Sequence, residues 1–536
     1  MTQATRAADL VARRLYEAGC RHAFGMPGGE VLTIIDALEQ AGIEFILCKH
    51  ENAAGFMAEG VHHVNGAPGI LVATVGPGAM NGVNVVANAH QDRVPMIVLT
   101  GCVDADEALT YTHQVLDHRK VFEEITKATF TLTADGADII ADKAVGIATE
   151  GREGPVHIDV PISVADAVAA PKRRRRAAAS PVVPAPADLA TATAWLSEAK
   201  RPVIVAGLDV LKDGSASALQ AFAEARGIPV VTTYKAKGVL PEDHALCLGG
   251  AGLSPLADKH LLPFVRSSDL VICVGYDPIE MRPGWREVWD PEETRVIDIT
   301  AVPNDHYMHQ AGLSFVADTG ATLEALSPAK MPAVWQEGEI AAVKAGLDTA
   351  FPRDEAWGPG AVISLCNELL PNDTIATVDS GAHRILLSQM WRCYQPKGLV
   401  QSTALCTMGC AVPLAMGAKY ADPTRTVVSF SGDAGFLMVA GELSTAAELG
   451  QNTIFVVFVD ASLALIELKQ RQRQMANRGV DFGRHDFAAI GQAFGGYGHT
   501  VTNREELRAA LDAAQSADTF TVIAAVIDRN SYDGRI

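Results

Sequence analysis

Short apolar runs alternate with amphipathic stretches along most of the chain. Ile43–Leu47, Gly69–Val75 and Met96–Leu99 read as buried strands, and the stretches between them, such as Asn52–Val64, read as helices. Near-continuous apolar strands separated by helices predict parallel sheets covered on both faces. The rhythm breaks from Ala169 to Pro186, where Lys172 and Arg173–Arg176 are followed by alanines and by Pro181, Pro184 and Pro186. That composition predicts an exposed linker rather than an electrostatic binding patch. A second series begins at Pro202–Gly207, with strands near Pro229–Thr232, Leu270–Val274 and Arg295–Ile299. Ser327–Pro332 reads as another boundary, and a third series from about Trp357 carries strands at Thr374–Val378, Thr426–Phe430 and Thr453–Val459. The expected fold is α/β, with three doubly wound parallel-sheet domains at residues 1–168, 187–326 and 345–536.

Composition narrows the function classes. The 536 residues are 48% hydrophobic with a net charge of −19, ordinary for a globular chain and repulsive to nucleic acid and to anionic membranes. No apolar run reaches the roughly 18–20 residues of a membrane span. The start lacks the basic-then-apolar layout of a signal peptide. Nine scattered cysteines without a CxxC pair read as small buried hydrophobes, Cys273 among them. A cytoplasmic protein with no membrane or nucleic-acid partner is expected.

The chemistry concentrates in Ser429-Phe430-Ser431-Gly432-Asp433-Ala434-Gly435-Phe436 and in Asn452 to Ser462. Each is a buried strand ending in polar residues, so Asp433 and Asp460 fall at carboxyl ends of strands, which face the ligand crevice of a parallel sheet. Two carboxylates there offer hard oxygen ligands to Mg²⁺, which characteristically keeps a phosphate partner, and the helix start near Gly435 offers N–H groups to a diphosphate. Alone, Asp433 would read as a helix cap. The pair, 27 residues apart, resembles the signature of thiamine-diphosphate-dependent enzymes, Gly-Asp-Gly followed one βα unit later by Asn-Asn or Asn-Asp.

Other landmarks extend this resemblance. Phe24-Gly25-Met26-Pro27-Gly28-Gly29, then Glu51 after a strand, then Gly76-Pro77-Gly78 with Asn81, stand where the family has its catalytic glutamate and flanking turns. Cys406-Thr407-Met408-Gly409 resembles the stretch whose bulky residue bends the cofactor, and Asp379-Ser380-Gly381-Ala382-His383 places His383 near the diphosphate. Thr112 to Asp117, Gly275 to Glu280 and Gly479 to Gly483 look like the catabolic, FAD-independent acetolactate synthases. The flavin-binding branch carries Arg-Phe-Asp-Asp-Arg where this chain has Tyr276 to Glu280, so no FAD is expected.

The resemblance implies a pyrimidine-binding, a central and a diphosphate-binding domain, with thiamine diphosphate and Mg²⁺ as cofactors. It implies Glu51 as catalytic residue, activating the cofactor, and Asp433, Asp460 and Ser462 as metal ligands. Cofactor contacts fall at Glu51, Gly381, Ala382, His383, Cys406, Met408, Gly432, Asp433, Ala434, Gly435, Asp460, Ser462, Leu463, Ala464 and Leu465, and substrate contacts at Gly28, Gly29, His113 and Gln114. Active sites are expected at the interface of a homo-oligomer, with decarboxylation of a 2-oxo acid, pyruvate first, and carboligation to a second carbonyl. Departures from the pattern are Ala434 for the third glycine, Val459 for the first Asn, Ala404 and Cys406 for Gly and Gln, and Leu463-Ala464-Leu465 for a more polar run. They keep open a simple 2-oxo acid decarboxylase, a C–C lyase, an acetyltransferase on another aldehyde, and a catalytically silent binding or regulatory relative. His62 and His63 read as surface or structural histidines, and without a GxGxxG the central domain offers no dinucleotide fingerprint.

Overall fold

The computed structural model describes residues 5–172, 177, 179–326 and 335–536. The basic run Arg173–Arg176 and the boundary expected at Ser327–Pro332 lie outside the described residues. The described chain forms three six-stranded sheets in which every neighbouring pair is parallel. The first contains β1 (His22–Met26), β2 (Glu44–Leu47), β3 (Gly69–Ala73), β4 (Met96–Cys102), β5 (Ala128–Thr131) and β6 (Pro155–Pro161). The second contains β7 (Pro202–Ala206), β8 (Val230–Thr233), β9 (Cys247–Ala251), β10 (Leu270–Val274), β11 (Arg295–Thr300) and β12 (Leu313–Val316). The third contains β13 (Ile375–Val378), β14 (Leu399–Gln401), β15 (Val427–Gly432), β16 (Ile454–Val459), β17 (Tyr497–Val501) and β18 (Thr521–Val526).

Central strands β3, β7, β10 and β16 are buried at every position, which is why their sequences are unbroken apolar runs. The expectation of a buried strand at Ile43–Leu47 needs correcting. β2 is an edge strand paired only with β1, so Glu44 is exposed and Leu47 is 47% exposed. The helix Glu339–Ala350, within which position 345 falls, lies against the helix Pro255–Arg266 of the middle unit, where Trp335 stacks on Phe264.

Counted from its own first strand, each outer sheet runs 2-1-3-4-6-5, whereas the middle one runs 6-5-4-1-2-3. The order reverses at β1/β3, β7/β10 and β13/β15, and these reversal points are where parallel sheets open a crevice. In the middle sheet the backbones at the ends of β7 and β10 approach closely. A Cβ on Gly207 would lie 2.5 Å from the Gly275 carbonyl oxygen, so the two strand-end loops touch.

The outer units pack directly on each other through the helices Glu51–Asn65 and Ala411–Ala421. Glycine makes this possible. A Cβ on Gly60 would sit 2.3 Å from the Leu414 carbonyl oxygen, and one on Gly417 would sit 2.0 Å from that of Met57. One apolar core runs across this contact, from Phe56 and Met57 to Val412 and Met416.

Candidate active site

The reversal point β13/β15 opens into a cavity of about 140 Å³. Its walls come from the end of β13 (Ser380 to His383), the end of β15 (Gly432 to Gly435) and the end of β16 (Asp460, Ser462 to Ile466), together with Met408, Phe458 and Tyr532. Asp433 opens the helix Asp433–Val439, with Gly432 as its cap residue. Its Oδ2 accepts the backbone N–H groups of Asp460 (3.2 Å) and Ala461 (2.7 Å), and its Oδ1 accepts that of Ala434 (2.9 Å). Asp460 Oδ1 accepts the Ser462 N–H at 2.9 Å. Burial raises the pKa of Asp433, and burial reinforced by Asp433 pushes Asp460 up to about 7. Two desolvated carboxylates this close call for a cation between them. Burial pushes His383 down to about 3, so its ring is neutral, and its buried Nε2 has no hydrogen-bond partner. Oxygen ligands at one end and an unpartnered imidazole nitrogen at the other fit a metal-bound diphosphate.

Ala434 is not among the residues with positive φ, and lies in an ordinary helical turn. The conformational penalty that an alanine would bring to a left-handed position therefore does not arise. Gly435 answers to packing: a Cβ there would lie 1.8 Å from Asp379 Oδ2. Asp379, fully buried, uses that carboxylate to hold the N–H groups of Gly409 and Cys410, both at 2.9 Å.

The 402–409 segment reaches Met408 into the cavity, whereas Cys406 does not line it. This segment is held from two other units. Asp92 accepts the N–H groups of Thr403 and Ala404, both at 2.7 Å, and pairs with Lys235 Nζ at 3.2 Å. Ser402 donates to Asn88 and accepts the Thr407 N–H at 2.8 Å, and Asn88 in turn donates to Glu59 at 3.1 Å. Arg384, buried beside His383, donates to the Ser402 carbonyl and to Cys406 Sγ at 3.2 Å. Cys406 (φ 55°) and Ala461 (φ 57°) both hold left-handed backbone, a conformation that concentrates at functional sites.

Glu51 starts the helix Glu51–Asn65 and is buried, with Asn81 Nδ2 donating to its Oε2 at 2.9 Å. The turn around Gly76–Asn81 gathers the other residues expected in this half. A Cβ on Gly28 would meet Thr74 Oγ1 at 2.1 Å, and one on Gly76 would meet the Gln114 carbonyl oxygen at 3.0 Å, while Gly29 faces open space. His113 and Gln114 lie on an exposed loop that also exposes Leu109, Val115 and Leu116. Within one chain, therefore, Gly381–His383, Met408, Gly432–Gly435, Asp460 and Ser462–Leu465 share a cavity, and Glu51, Gly28, Gly29, His113, Gln114 and Cys406 do not line it. The reading of His62 and His63 narrows to a structural role: both are largely buried, bonded to the Ala67 carbonyl and to Glu59 respectively. Asp92 and Arg384 escaped sequence reasoning, and Asp379 was read only as the start of the Asp379–His383 stretch, because the groups these residues hold lie elsewhere in the chain.

Comparison with known proteins gives the same picture over the full length. Residues 5–122 match the N-terminal TPP binding domain of the thiamine pyrophosphate enzymes, residues 189–326 their central domain, and residues 379–525 their C-terminal TPP binding domain. The chain is 30% identical to the acetolactate synthase of Bacillus subtilis, over 98% of this chain and 93% of that protein. It is 28% identical to the catabolic acetolactate synthase of Raoultella terrigena, over 97% of this chain and 95% of the other. A probable acetolactate synthase large subunit of Methanocaldococcus jannaschii is 30% identical over 98% and 92%.

Proposed function

The chain belongs to the thiamine pyrophosphate enzymes, and from that premise we propose that it decarboxylates a 2-oxo acid, pyruvate first, and joins the remaining acyl fragment to a second carbonyl, as an acetolactate synthase does. The observation that carries this reading is the cavity at β13/β15, where Asp433, Asp460 and the unpartnered His383 Nε2 converge. Asp433, Asp460 and the Ser462 carbonyl would hold Mg²⁺, and His383 would meet the diphosphate. Thiamine diphosphate, when bound, supplies the electron sink that cleavage beside a carboxylate requires. Glu51, buried at the start of its helix, would hydrogen-bond the aminopyrimidine ring of the cofactor and activate it, reaching it in this reading from a neighbouring subunit. Leu463, Leu465 and Met408 keep water from the reacting end. Retention of Glu51, Asp433 and Asp460 together supports an enzyme over a silent relative.

The flavin-free reading rests on Tyr276 to Glu280 standing where the flavin-binding branch carries Arg-Phe-Asp-Asp-Arg. The Tyr276–Glu280 stretch has another use here: Asp277 pairs with Arg93 at 3.0 Å and Arg152 at 3.4 Å, tying the first unit to the middle one. Among the described residues no helix is long and apolar enough to cross a membrane, and all nine cysteines are unpaired, in keeping with a cytoplasmic protein. Ala404 and Cys406 replace polar residues of the family pattern, but neither lines the cavity, and Arg384 is engaged in holding their segment through the Ser402 carbonyl and Cys406 Sγ. The test is incubation of the protein, Mg²⁺ and thiamine diphosphate with pyruvate alone. Carbon dioxide with acetolactate is expected. Carbon dioxide with acetaldehyde would make it a simple decarboxylase, and turnover only of bulkier 2-oxo acids would mean the replaced residues redefine the substrate.

A further inference from the structure

Away from the cofactor cavity, the middle sheet carries a second set of metal-type donors. Cys273 on β10 and Asp298 on β11 are register partners, so both side chains leave the sheet on one face. His309, in the segment leading to β12, folds over them. Ligand atoms of the three residues all lie within 4.8 Å of one another, and the residues are 0%, 0% and 4% exposed. Asp298 Oδ2 accepts from Asn304 Nδ2 at 3.1 Å and lies 3.3 Å from His309 Nε2. Asp298 Oδ1 and His309 Nδ1 have no partner at all. A buried carboxylate with one oxygen unfilled, beside a buried imidazole with one nitrogen unfilled, is costly unless something binds there. Tyr276 stacks on the His309 ring at 5.1 Å and holds it in place. A cavity of about 150 Å³, lined in part by Asn304, Tyr307, His309 and Ser314, adjoins the group and gives a path from solvent.

We propose that Cys273, Asp298 and His309 bind a divalent ion of the zinc type, with water from the adjoining cavity in the fourth position. Charge and chemistry both favour this class. A thiolate and a carboxylate together neutralise a dication in a buried site. Sulfur and imidazole ligands select borderline ions over Mg²⁺ or Ca²⁺, which take oxygen. On binding, the Cys273 S–H bond gives way to a sulfur–metal bond and the proton leaves through the cavity to solvent; nothing is oxidised or reduced. The ion would pin the 301–312 segment to β10 and β11. The site is independent of the proposed reaction, since none of its residues lines the cofactor cavity.

The experiment uses the full-length protein, stripped with a chelator and titrated with Zn²⁺ or Co²⁺ in the absence of Mg²⁺ and thiamine diphosphate. About one ion per chain is expected to bind, raising the thermal midpoint, with Co²⁺ giving the near-ultraviolet thiolate-to-cobalt band that an all-oxygen site at Asp433 and Asp460 cannot give. Cys273→Ser and Asp298→Asn keep the shape of the site. The first should abolish the cobalt band, and both should weaken binding at least tenfold, while Cys102→Ser, at a half-exposed position outside the group, should leave both unchanged. A stripped protein that binds neither ion, or binding untouched by Cys273→Ser and Asp298→Asn, would overturn the proposal and leave Asp298 and His309 as a plain buried hydrogen-bonded pair.

Discussion

Asp460 is the residue whose surroundings say most about what the cavity holds. Its carboxyl, pushed up to about 7 by burial and by Asp433, is only about half ionised at neutrality, and a bound cation would favour the charged form. Asp460→Ala should abolish Mg²⁺-dependent binding of thiamine diphosphate without unfolding the chain, because a divalent site that loses a ligand leaves the diphosphate charge uncompensated. Titration of the variant with cofactor checks this, and unchanged affinity would place the metal elsewhere. Glu59 is a different kind of buried carboxyl. Burial, with Asp92 nearby, pushes it up to about 8. Between the ordinary value of 4.5 and about 8, the folded chain keeps a proton that the unfolded chain has lost. Stability from this group is thus complete below the lower value and declines as pH rises toward the upper one, by on the order of 1 kcal/mol per pH unit. Glu59→Gln should flatten that decline, seen as a smaller fall of the thermal midpoint between mildly acidic and mildly alkaline buffer; an unchanged slope would assign the effect to another group. Asp433 and Asp460 stood out in the sequence because strand-end aspartates one βα unit apart are a local pattern. Asp92 did not, since the N–H groups it holds lie 311 and 312 residues away.

Among the elements, the pair of helices Glu51–Asn65 and Ala411–Ala421 joins the two outer units, and its closeness depends on glycine. Gly417 is the tighter case, at 2.0 Å against 2.3 Å for Gly60, and in both the neighbour a Cβ would strike is backbone that cannot rotate away. Gly417→Ala should therefore force the helices apart. Overpacking of this kind costs about 1–3 kcal/mol, so a clearly lowered thermal midpoint is expected, and a midpoint equal to the parent's would show that the contact is looser than described. The strands themselves were legible because a parallel strand covered on both faces must be apolar throughout: Leu270–Val274 was read with its observed ends. β2 was misread as buried because an edge strand can carry the same apolar letters while facing solvent. The Cys273–Asp298–His309 group was illegible for a related reason. Cys273 sits in an apolar run that looks like core, and only strand register brings it beside Asp298.

For the whole molecule, the repeated strand order of the outer sheets was not legible, because apolar runs carry strand positions but not neighbours. Each outer unit supplies half of what the chemistry needs: Glu51, with its Asn81 contact, in the first, and the carboxylate cavity in the third. Within one chain Glu51 does not line that cavity, and both halves leave apolar side chains uncovered. Leu109 is 82% exposed and Leu116 44% on the loop of His113 and Gln114, while Met438 is 62% and Ile466 44% exposed beside the cavity. Covering one set with the other, from a second copy of the chain, would bury both and bring Glu51 to the cofactor, so the active unit should be at least a dimer. The decisive measurement mixes two inactive proteins. Glu51→Gln should keep the fold and most cofactor affinity but lose about 10²–10⁴-fold in turnover, the contribution typical of a positioned proton-transfer group. Asp433→Ala should lose cofactor binding. If sites are shared, half of the randomly mixed dimers contain one chain of each kind, and each of these has one site with both residues intact. Co-expression should then restore about a quarter of parental activity, whereas each variant alone stays inactive. If every site were built within a single chain, mixing would restore nothing, and an equilibrium sedimentation profile showing a fully active monomer would point the same way.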